Sequence, residues 1–212
     1  LPREYFTPVQ APPRLMSLRE KCEALQLVGL DYLLVLKFDD RLRNVDAHEF
    51  AHDVFVEGLQ CRHVIIGDDY QFGRDADGNL DLLIALGDKH NFAVEVADTF
   101  LIDGERVSST RIRKLLEAAK FVESEKLLGR PYTISGKVVY GQQLGRQLGV
   151  PTANIELHRL RAAMAGVYAA QVQIEDESSW RQGVANVGVR PTVNESIKAV
   201  SYTHLTLPTT GI

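Results

Sequence analysis

The pattern of apolar residues changes at about Pro131, and this change constrains the fold more than any other feature of the sequence. Before it, short apolar runs at residues 62–66 and 92–96 alternate with helix-forming segments such as residues 79–89. Strands and helices that alternate with short connections predict a parallel sheet covered by helices. After it, apolar and polar residues alternate between glycine-rich loops, which predicts a small β-barrel. We therefore expect an α/β domain followed by a β domain.

Local start and stop signals place the individual elements. Ser17 and Glu20 form a capping box that opens a helix ending near Gly29. The apolar run at residues 32–38 predicts a buried strand, and Asp46 opens a second helix that we expect to continue through residue 56. Further helices are predicted over residues 109–119 and 122–128, and further strands at residues 134–140, 167–174 and 180–189. The proline-rich residues 1–14 give no helix or strand signal.

Composition excludes several classes of protein. The chain has 212 residues, of which 45% are apolar, and a net charge of −4. Without a block rich in lysine and arginine, a nucleic-acid partner is not expected. No apolar run is long enough to cross a membrane. Cys22 and Cys61 lack metal-binding or redox spacing, which is typical of reduced thiols in a cytoplasmic protein. Oligomeric state is not indicated by the sequence.

The first motif is the loop at residues 67–73, directly after a predicted strand. In open α/β sheets ligands bind at the carboxyl ends of the strands. Gly67 and Gly73 allow tight turns, Tyr70 and Phe72 can stack on a planar ring, and Asp69 can accept a hydrogen bond from a ring or ribose donor. The alternative is a simple turn whose two aromatic side chains fold into the core.

The second motif, residues 107–113, lies at the start of a helix. Hydroxyl groups and N–H groups at a helix N-terminus form an anion site, and an arginine adds a bidentate cation. Ser108, Ser109, Thr110 and Arg113 are therefore candidates for phosphate binding. The alternative is that Ser109 only caps the helix and that the arginines are solvated.

The third motif, residues 141–154, follows the first strand of the predicted barrel. Its glycines allow backbone N–H groups to wrap a polyphosphate. Thr152 and Asn154 lie two residues apart and would share one face of a strand, where their oxygens suit Mg²⁺. The loop contains Gly141, Gly145, Arg146, Gly149 and Pro151 before Thr152 and Asn154. The alternative is a long hairpin with a glycine-rich turn.

A fourth pattern, His48-Glu-Phe-Ala-His52, matches the H-E-x-x-H sequence of zinc peptidases. Two histidines four residues apart do share a helix face. Glu49, however, occupies the third position of a helix cap, and neither Glu57 nor His63 is placed convincingly as a third ligand. We therefore expect no zinc and regard this segment as a solvated first helical turn.

In this order the motifs resemble the bacterial bifunctional riboflavin kinase / FMN adenylyltransferase family. Residues 14–21 resemble the segment that leads into a helix of the family's sheet. Residues 67–73 match its G-x-D-[FY]-x-F-G motif, and residues 107–113 match I-S-S-T-x-x-R with Val107 for isoleucine. Further matches in the kinase half are Gly136, residues 166–168, and residues 183–192 with Asn186, Arg190 and Thr192. The kinase half also matches at Gly141, Gly145, Arg146, Gly149 and the Pro-Thr-Ala-Asn of residues 151–154, and the resemblance implies that Gly141, Gly145, Arg146, Gly149, Pro151, Thr152 and Asn154 bind ATP.

This resemblance implies two reactions that use ATP and Mg²⁺. The barrel would phosphorylate riboflavin to FMN, with Mg²⁺ near Thr152 and Asn154. The N-terminal domain would transfer an adenylyl group to FMN, with the residues of the second motif neutralising the leaving pyrophosphate. A non-catalytic flavin- or nucleotide-binding module is the alternative.

The resemblance also predicts that both domains are incomplete. We expect an incomplete Rossmann-like adenylyltransferase domain at residues 1–129, lacking its first strand and its H-x-G-H loop. An incomplete riboflavin kinase barrel would cover residues 130–199. Residues 200–212 look like the translation of a sequencing adaptor, so we expect a non-native tail without evolved structure, in place of the kinase's glutamate base. The chain is therefore expected to have little or no activity in either reaction.

Overall fold

The structure, a computed structural model, describes residues 2–139, 152–175 and 177–189 and the backbone of Ser201–Thr206. It contains two compact units. The first unit consists of Leu1–Ala11 and Leu34–Val107, and the second of Pro12–Leu33 and Ser108–Ile212. The second unit therefore consists of one stretch of sequence between the two segments of the first unit and one stretch after them. The division into domains at residue 129 remains a prediction.

The helices and strands are numbered in chain order. The helices are α1 (Pro2–Phe6), α2 (Leu18–Leu27), α3 (Asp40–Arg43), α4 (Ala47–Ala51), α5 (Leu80–His90), α6 (Ser109–Glu117) and α7 (Phe121–Leu128). The strands are β1 (His63–Ile66), β2 (Ala93–Val96), β3 (Leu101–Ile102), β4 (Glu105–Arg106), β5 (Val138–Val139), β6 (Thr152–Glu156), β7 (Gly166–Val172), β8 (Arg181–Val189) and β9 (Ser201–Thr206). A π-helical turn, His52–Gly58, follows α4, and a 3₁₀ turn covers Arg74–Ala76.

The first unit is built around a parallel pair of strands. β1 and β2 run in register from His63 opposite Ala93 to Ile66 opposite Val96. The connection between them contains α5, which begins where the Asn79 side chain accepts a hydrogen bond from the Leu82 N–H. The core of the unit combines residues of β1, α4, α5, the loop after β1 and the position just before β2, namely Ala47, Ala51, Val64, Ile66, Phe72, Leu83, Leu86 and Phe92. The predicted parallel sheet with covering helices is confirmed.

The second unit contains an antiparallel sheet of five strands in the order β5-β6-β9-β8-β7. Alternation along β8 sets its faces, since Ala185 and Val187 are buried while Asn186 between them is exposed. The predicted change from a parallel to an antiparallel sheet is confirmed, and closure into a barrel remains a prediction.

Helix starts in both units follow their local capping signals. The Ser17 hydroxyl accepts from the Glu20 N–H, and the Glu20 carboxylate accepts from the Ser17 N–H, so the predicted capping box is present. The Asp46 carboxylate likewise caps α4 through the Glu49 N–H. The α-helix expected from Asp46 through residue 56 ends at Ala51, however, and continues as the π-helical turn.

The prediction of a buried strand at residues 32–38 is wrong. Residues 30–38 have no regular secondary structure, and Tyr32 is 91% exposed. A strand needs a neighbour to pair its N–H and C=O groups. Within the described part of the chain, no strand pairs with this run. An apolar run alone does not supply that partner.

Two terminal segments also differ from expectation. Pro2–Phe6 is a short helix, although its sequence gave no signal for one. Residues 200–212 were expected to lack structure, but the backbone of Ser201–Thr206 pairs with both β6 and β8. Its residues, Ser-Tyr-Thr-His-Leu-Thr, are rich in strand-forming types, and β6 and β8 offer it hydrogen-bonding partners on both sides. The non-native origin of this segment remains a prediction.

Candidate functional site

The two aromatic side chains of the loop after β1, Tyr70 and Phe72, differ in how deeply they are buried. The turn is closed by the Tyr70 N–H, which donates to the Gly67 carbonyl at 3.2 Å. Phe72 is buried, pairs through its backbone with Gly78, and packs its ring against Phe50. Tyr70 is only half-buried and stacks on Phe72, and burial raises the pKa of its hydroxyl. The alternative of a core aromatic therefore describes Phe72, whereas Tyr70 keeps one side toward solvent.

Gly73 ends this loop in a conformation that requires glycine. Its φ is +78°, and a Cβ atom there would lie 2.7 Å from both the N and the Cα of Ala47. Left-handed φ is unfavourable for residues with a Cβ, and here the neighbouring backbone also fills the space. Gly73 thus fixes the end of the loop directly against α4.

Carboxylates dominate the rim at the carboxyl ends of β1 and β2. Asp68 and Asp69 both face the Arg106 guanidinium, at 3.4 Å, and the Thr99 hydroxyl donates to Asp68 at the same distance. All of these groups are exposed, so their mutual attraction is weak. With two carboxylates and one guanidinium, the rim suits hydrogen-bond donors such as a ring N–H or a ribose hydroxyl better than it suits a phosphate.

Asp68, Thr99 and Arg106 were not singled out from the sequence. The sequence does contain a signal for the position of Arg106, namely the Asp103–Gly104 pair, where both φ angles are positive, +55° and +76°. Asp-Gly is a characteristic turn of a two-residue hairpin. That hairpin joins β3 to β4, whose Arg106 faces Asp68 and Asp69.

The start of α6 presents hydroxyl side chains and helix N–H groups. Ser108 is the cap, with extended φ and ψ, and its hydroxyl oxygen accepts from the Arg111 N–H at 3.2 Å. The alternative in which Ser109 is the cap is wrong, because Ser109 already lies within the helix. Ser109 and Thr110 are exposed in the first turn, where N–H groups lack acceptors within the helix and the helix dipole is positive.

Arg113 lies one turn further along α6 and is half-buried. Its Nε donates to the carbonyl of Pro13 at 2.7 Å. This bond fixes the plane of the guanidinium relative to the backbone that precedes α2. Ser108 is thus the cap of α6, and Ser109, Thr110 and Arg113 lie within the first five residues of the helix.

Thr152 and Asn154 lie on β6, two residues apart, and so share one face of the strand. Asn154 is only 7% exposed. Among the described residues its side-chain amide has no hydrogen-bond partner, which is unusual for a buried polar group. A buried amide oxygen and a nearby hydroxyl on one face fit the preference of Mg²⁺ for oxygen ligands.

Asn186 belongs to the same face of the sheet. Asn154 on β6 and Asn186 on β8 are both register partners of position 204 in the strand between them. Two strand spacings separate them, or about 10 Å. Register therefore groups Thr152, Asn154 and Asn186 on one side of the sheet. The other candidates of this half, Gly141, Gly145, Arg146, Gly149, Pro151, Arg190 and Thr192, lie outside the described residues.

The two histidines of the H-E-x-x-H pattern do not converge on a metal site. Both ring nitrogens of His52 face carboxylates, Asp53 at 3.3 Å and Glu57 at 3.8 Å. Across the described ranges, no group of three or more histidine, cysteine or acidic side chains is arranged to hold a metal ion. Glu49 contributes its backbone N–H to the cap of α4, in agreement with a structural role.

Comparison with sequence families identifies the class of protein. The chain belongs to the FAD synthetase family, whose sequence model matches residues 1–111, more than half of its 212 residues. The model of a second family, riboflavin kinase, matches residues 128–208. The second match continues through β9.

The bifunctional riboflavin kinase/FMN adenylyltransferases of three bacteria are similar to this chain. The Pseudomonas fluorescens protein is 48% identical over 96% of the chain and 65% of its own length. The Haemophilus influenzae protein is 42% identical over 91% of the chain and 62% of its length, and the Escherichia coli K12 protein is 41% identical over 91% and 61%. The chain thus spans somewhat less than two thirds of the length of these curated relatives.

A solved structure has a similar fold. The crystal structure of a protein named as a macrolide-efflux protein, from Streptococcus pneumoniae, matches with a TM-score of 0.64 and 25% identity, covering 91% of this chain and 66% of the other. In the parts of this chain that the structure describes, no helix is both long enough and apolar enough to span a membrane.

Proposed function

We propose that this chain comes from a cytoplasmic enzyme that makes FMN and FAD, by phosphorylation of riboflavin and adenylylation of FMN. The observation that carries the proposal is the match of both families, FAD synthetase and riboflavin kinase, in this order on one chain. ATP, riboflavin and FMN are the proposed substrates. The similar proteins of three bacteria are named for the same two activities.

For adenylyl transfer, the start of α6 would bind the phosphates. A phosphate oxygen of FMN attacks the α-phosphorus of ATP, the bond from that phosphorus to the bridging oxygen breaks, and pyrophosphate leaves. Ser108, Ser109, Thr110 and Arg113 would stabilise the charge that develops on pyrophosphate. The Nε bond of Arg113 to Pro13 supports this role, because a fixed guanidinium needs no reorganisation during the reaction.

For flavin binding, residues 67–73 would supply shape and one acceptor. Tyr70 would contact the planar ring, while Phe72 supports Tyr70 from the core side. The exposed Asp69 carboxylate would accept a hydrogen bond from the ligand, and Gly67 and Gly73 set the turns of the loop.

For the kinase reaction, Thr152 and Asn154 would hold Mg²⁺ together with phosphate oxygens of ATP. When bound, the metal ion neutralises phosphate charge and orients the transferred phosphoryl group. The buried amide of Asn154, without a partner among the described residues, supports this assignment.

Ligand binding to the 212-residue chain tests the proposal. Calorimetric titration with FMN and with ADP in the presence of Mg²⁺ should show saturable binding. Arg113→Lys should weaken binding of inorganic pyrophosphate without changing Mg·ADP binding by the kinase half, and Thr152→Val should do the reverse. A folded chain that binds neither FMN nor Mg·ADP would contradict the proposal.

Chromatographic assay of riboflavin, FMN and FAD separates transfer from simple binding. Formation of FMN from riboflavin, or of FAD from FMN, by the purified chain would exclude a non-catalytic binding module.

A further inference from the structure

Arg159 is a fully buried arginine in the second unit, outside every motif described above. Its side chain is 0% exposed, and its Nη2 donates to the Glu20 carboxylate at 2.5 Å. A buried charge is costly unless it is paired and its remaining donors are satisfied. The position of these donors therefore shows what the residue holds in place.

Nη1 of Arg159 reaches the backbone that precedes α2, while its Nε donates to the Leu157 carbonyl at 3.3 Å. Nη1 donates to the carbonyl of Leu15 at 2.9 Å and lies 3.3 Å from that of Arg14. The Tyr132 hydroxyl also donates to the Leu15 carbonyl, at 3.1 Å. Burial raises the pKa of Tyr132, so its hydroxyl keeps the proton that this bond needs.

Arg113 donates to the same stretch of backbone. Residues 13–15, which we call the carbonyl strip, accept from Arg113 at Pro13 and from Arg159 at Arg14 and Leu15. The strip belongs to no helix or strand. Its carbonyl groups therefore accept hydrogen bonds from side chains instead of from the backbone of a helix or a neighbouring strand. Pro12 and Pro13 restrict the φ angles of the backbone that leads into the strip and begins it.

The Glu20 carboxylate, which pairs with Arg159, also accepts two backbone hydrogen bonds. Its Oε1 accepts from the Ser135 N–H and its Oε2 from the Ser17 N–H, both at 2.6 Å. One carboxylate therefore ties the start of α2 to Arg159 and to the segment that precedes β5. Arg159 and Ser135 lie within the riboflavin kinase match, whereas the carbonyl strip lies within the FAD synthetase match.

We infer that Arg159 is a positioning residue for Arg113, acting through the carbonyl strip, so that a residue of the kinase half sets the geometry of the proposed pyrophosphate-binding arginine. Arg159 touches no reacting atom in this scheme. The inference rests on the proposed role of Arg113 in adenylyl transfer, and its test has one part that is independent of that role.

The independent part measures Arg113 itself. In the ¹⁵N-arginine-labelled chain, the Nε–H signal of Arg113 is assigned by its loss in Arg113→Lys. Arg159→Lys keeps the charge beside Glu20 but loses the planar fork that reaches the strip. We expect solvent exchange of the Arg113 Nε–H to become roughly tenfold faster, since local opening of the strip becomes easier. Tyr132→Phe should give a smaller change in the same direction.

Two controls separate positioning from loss of stability. Arg181→Lys makes the same substitution in an exposed arginine that forms a two-point pair with Glu177. Val187→Ala opens a buried position of β8 and lowers stability without altering a donor to the strip. Neither should change the Arg113 Nε–H exchange at a temperature where every variant is fully folded.

Binding of inorganic pyrophosphate is the second part. Arg159→Lys should weaken it by roughly the same factor as the change in exchange, while Arg181→Lys leaves it unchanged. Unaltered Arg113 exchange in folded Arg159→Lys, or in Tyr132→Phe if the former does not fold, would overturn the inference. A wild-type chain that does not bind pyrophosphate, with exchange still coupled to Arg159, would instead refute the proposed role of Arg113.

Discussion

The Tyr70 ring stacks on the Phe72 ring with a centroid separation of 5.5 Å and an interplanar angle of 21°. Phe72 is in the core of the first unit, whereas Tyr70, two positions earlier, is only half-buried, so the two rings have different roles. Phe72 stabilises the fold, and Tyr70 presents a supported ring at the surface of the loop.

Substitutions of Phe72 and Tyr70 should therefore have very different effects on the free energy of unfolding. Phe72→Ala should lower the free energy of unfolding by about 3–5 kcal/mol, because it removes a buried aromatic ring. Tyr70→Phe should change it by less than about 0.5 kcal/mol. Urea denaturation followed by circular dichroism measures both values.

Ligand binding then tests the surface role of Tyr70. FMN affinity should persist in Tyr70→Phe, which keeps the ring, and should fall in Tyr70→Ala. If Tyr70→Ala binds FMN as tightly as the wild type, the loop contributes no ring contact to the flavin.

Gly73 and Gly104 form a matched pair for a test of backbone constraint. Their φ angles are nearly equal, +78° and +76°, but a Cβ at Gly104 meets nothing within 4 Å, whereas one at Gly73 would overlap the backbone of Ala47. Gly104→Ala should cost about 1–2 kcal/mol, the penalty of the left-handed conformation alone. Gly73→Ala should cost a further 1–3 kcal/mol or so, because the overlap must be relieved by backbone shifts.

The comparison is made on unfolding free energies from denaturant titration of both variants. Equal costs would show that α4 moves away from the loop freely, and that Gly73 does not fix the loop against it.

Local signals predicted local structure well. The side chains of Ser17, Asp46 and Asn79 cap helices within three residues of themselves, so a short window of sequence contains the whole interaction. The same holds for the positions of β1 and β2, whose apolar runs are bounded by turn residues. The predicted start of α6 at Ser109 is correct, but the alternative that named Ser109 as the cap is wrong by one residue, because adjacent serines give the same signal and only the extended backbone of Ser108 identifies the cap.

Interactions between distant residues were not predictable in this way. The run at residues 32–38 has strand-like composition, but pairing depends on a neighbour that composition does not reveal. Arg159 and Glu20 are separated by 139 positions in the sequence, and neither carries a motif that indicates the other. The rim residues Thr99 and Arg106 likewise reach Asp68 only through the fold.

The Asn154 amide offers a test in which stability and binding should change in opposite directions. Asn154→Leu replaces a buried amide without a described partner by an apolar group of similar size, so the free energy of unfolding should hold or rise by about 1 kcal/mol. Affinity for ADP in the presence of Mg²⁺ should fall roughly 10- to 100-fold, because an oxygen ligand is lost.

Thr152 supplies the matched controls for this experiment. Thr152→Ser keeps the hydroxyl and should retain the Mg²⁺ dependence of ADP binding, while the isosteric Thr152→Val should lose it. Calorimetric titrations with and without Mg²⁺ distinguish the two. Binding of ADP that is equally dependent on Mg²⁺ in all three variants would remove Thr152 and Asn154 from the metal site.

Tyr132 should make the stability of the second unit depend on pH in the alkaline range. Burial raises its pKa above the ordinary value of about 10, with the nearby Arg159 charge opposing the shift. The folded state then holds the phenolic proton when the unfolded state has lost it. Its contribution to stability is therefore complete below about pH 10 and is lost as the pH rises through the folded pKa.

The difference between wild type and Tyr132→Phe isolates this contribution from that of every other titrating group. At pH 7 the substitution should cost about 1 kcal/mol, because the hydrogen bond to the Leu15 carbonyl is lost. Between pH 9 and 11 the wild type should lose more stability than the variant, so the two curves converge. Tyr32→Phe, at a position 91% exposed, should follow the wild-type curve throughout. Parallel curves for wild type and Tyr132→Phe would show that burial does not hold the phenolic proton, and equal stabilities at pH 7 would show that the bond to the carbonyl strip is not maintained in solution.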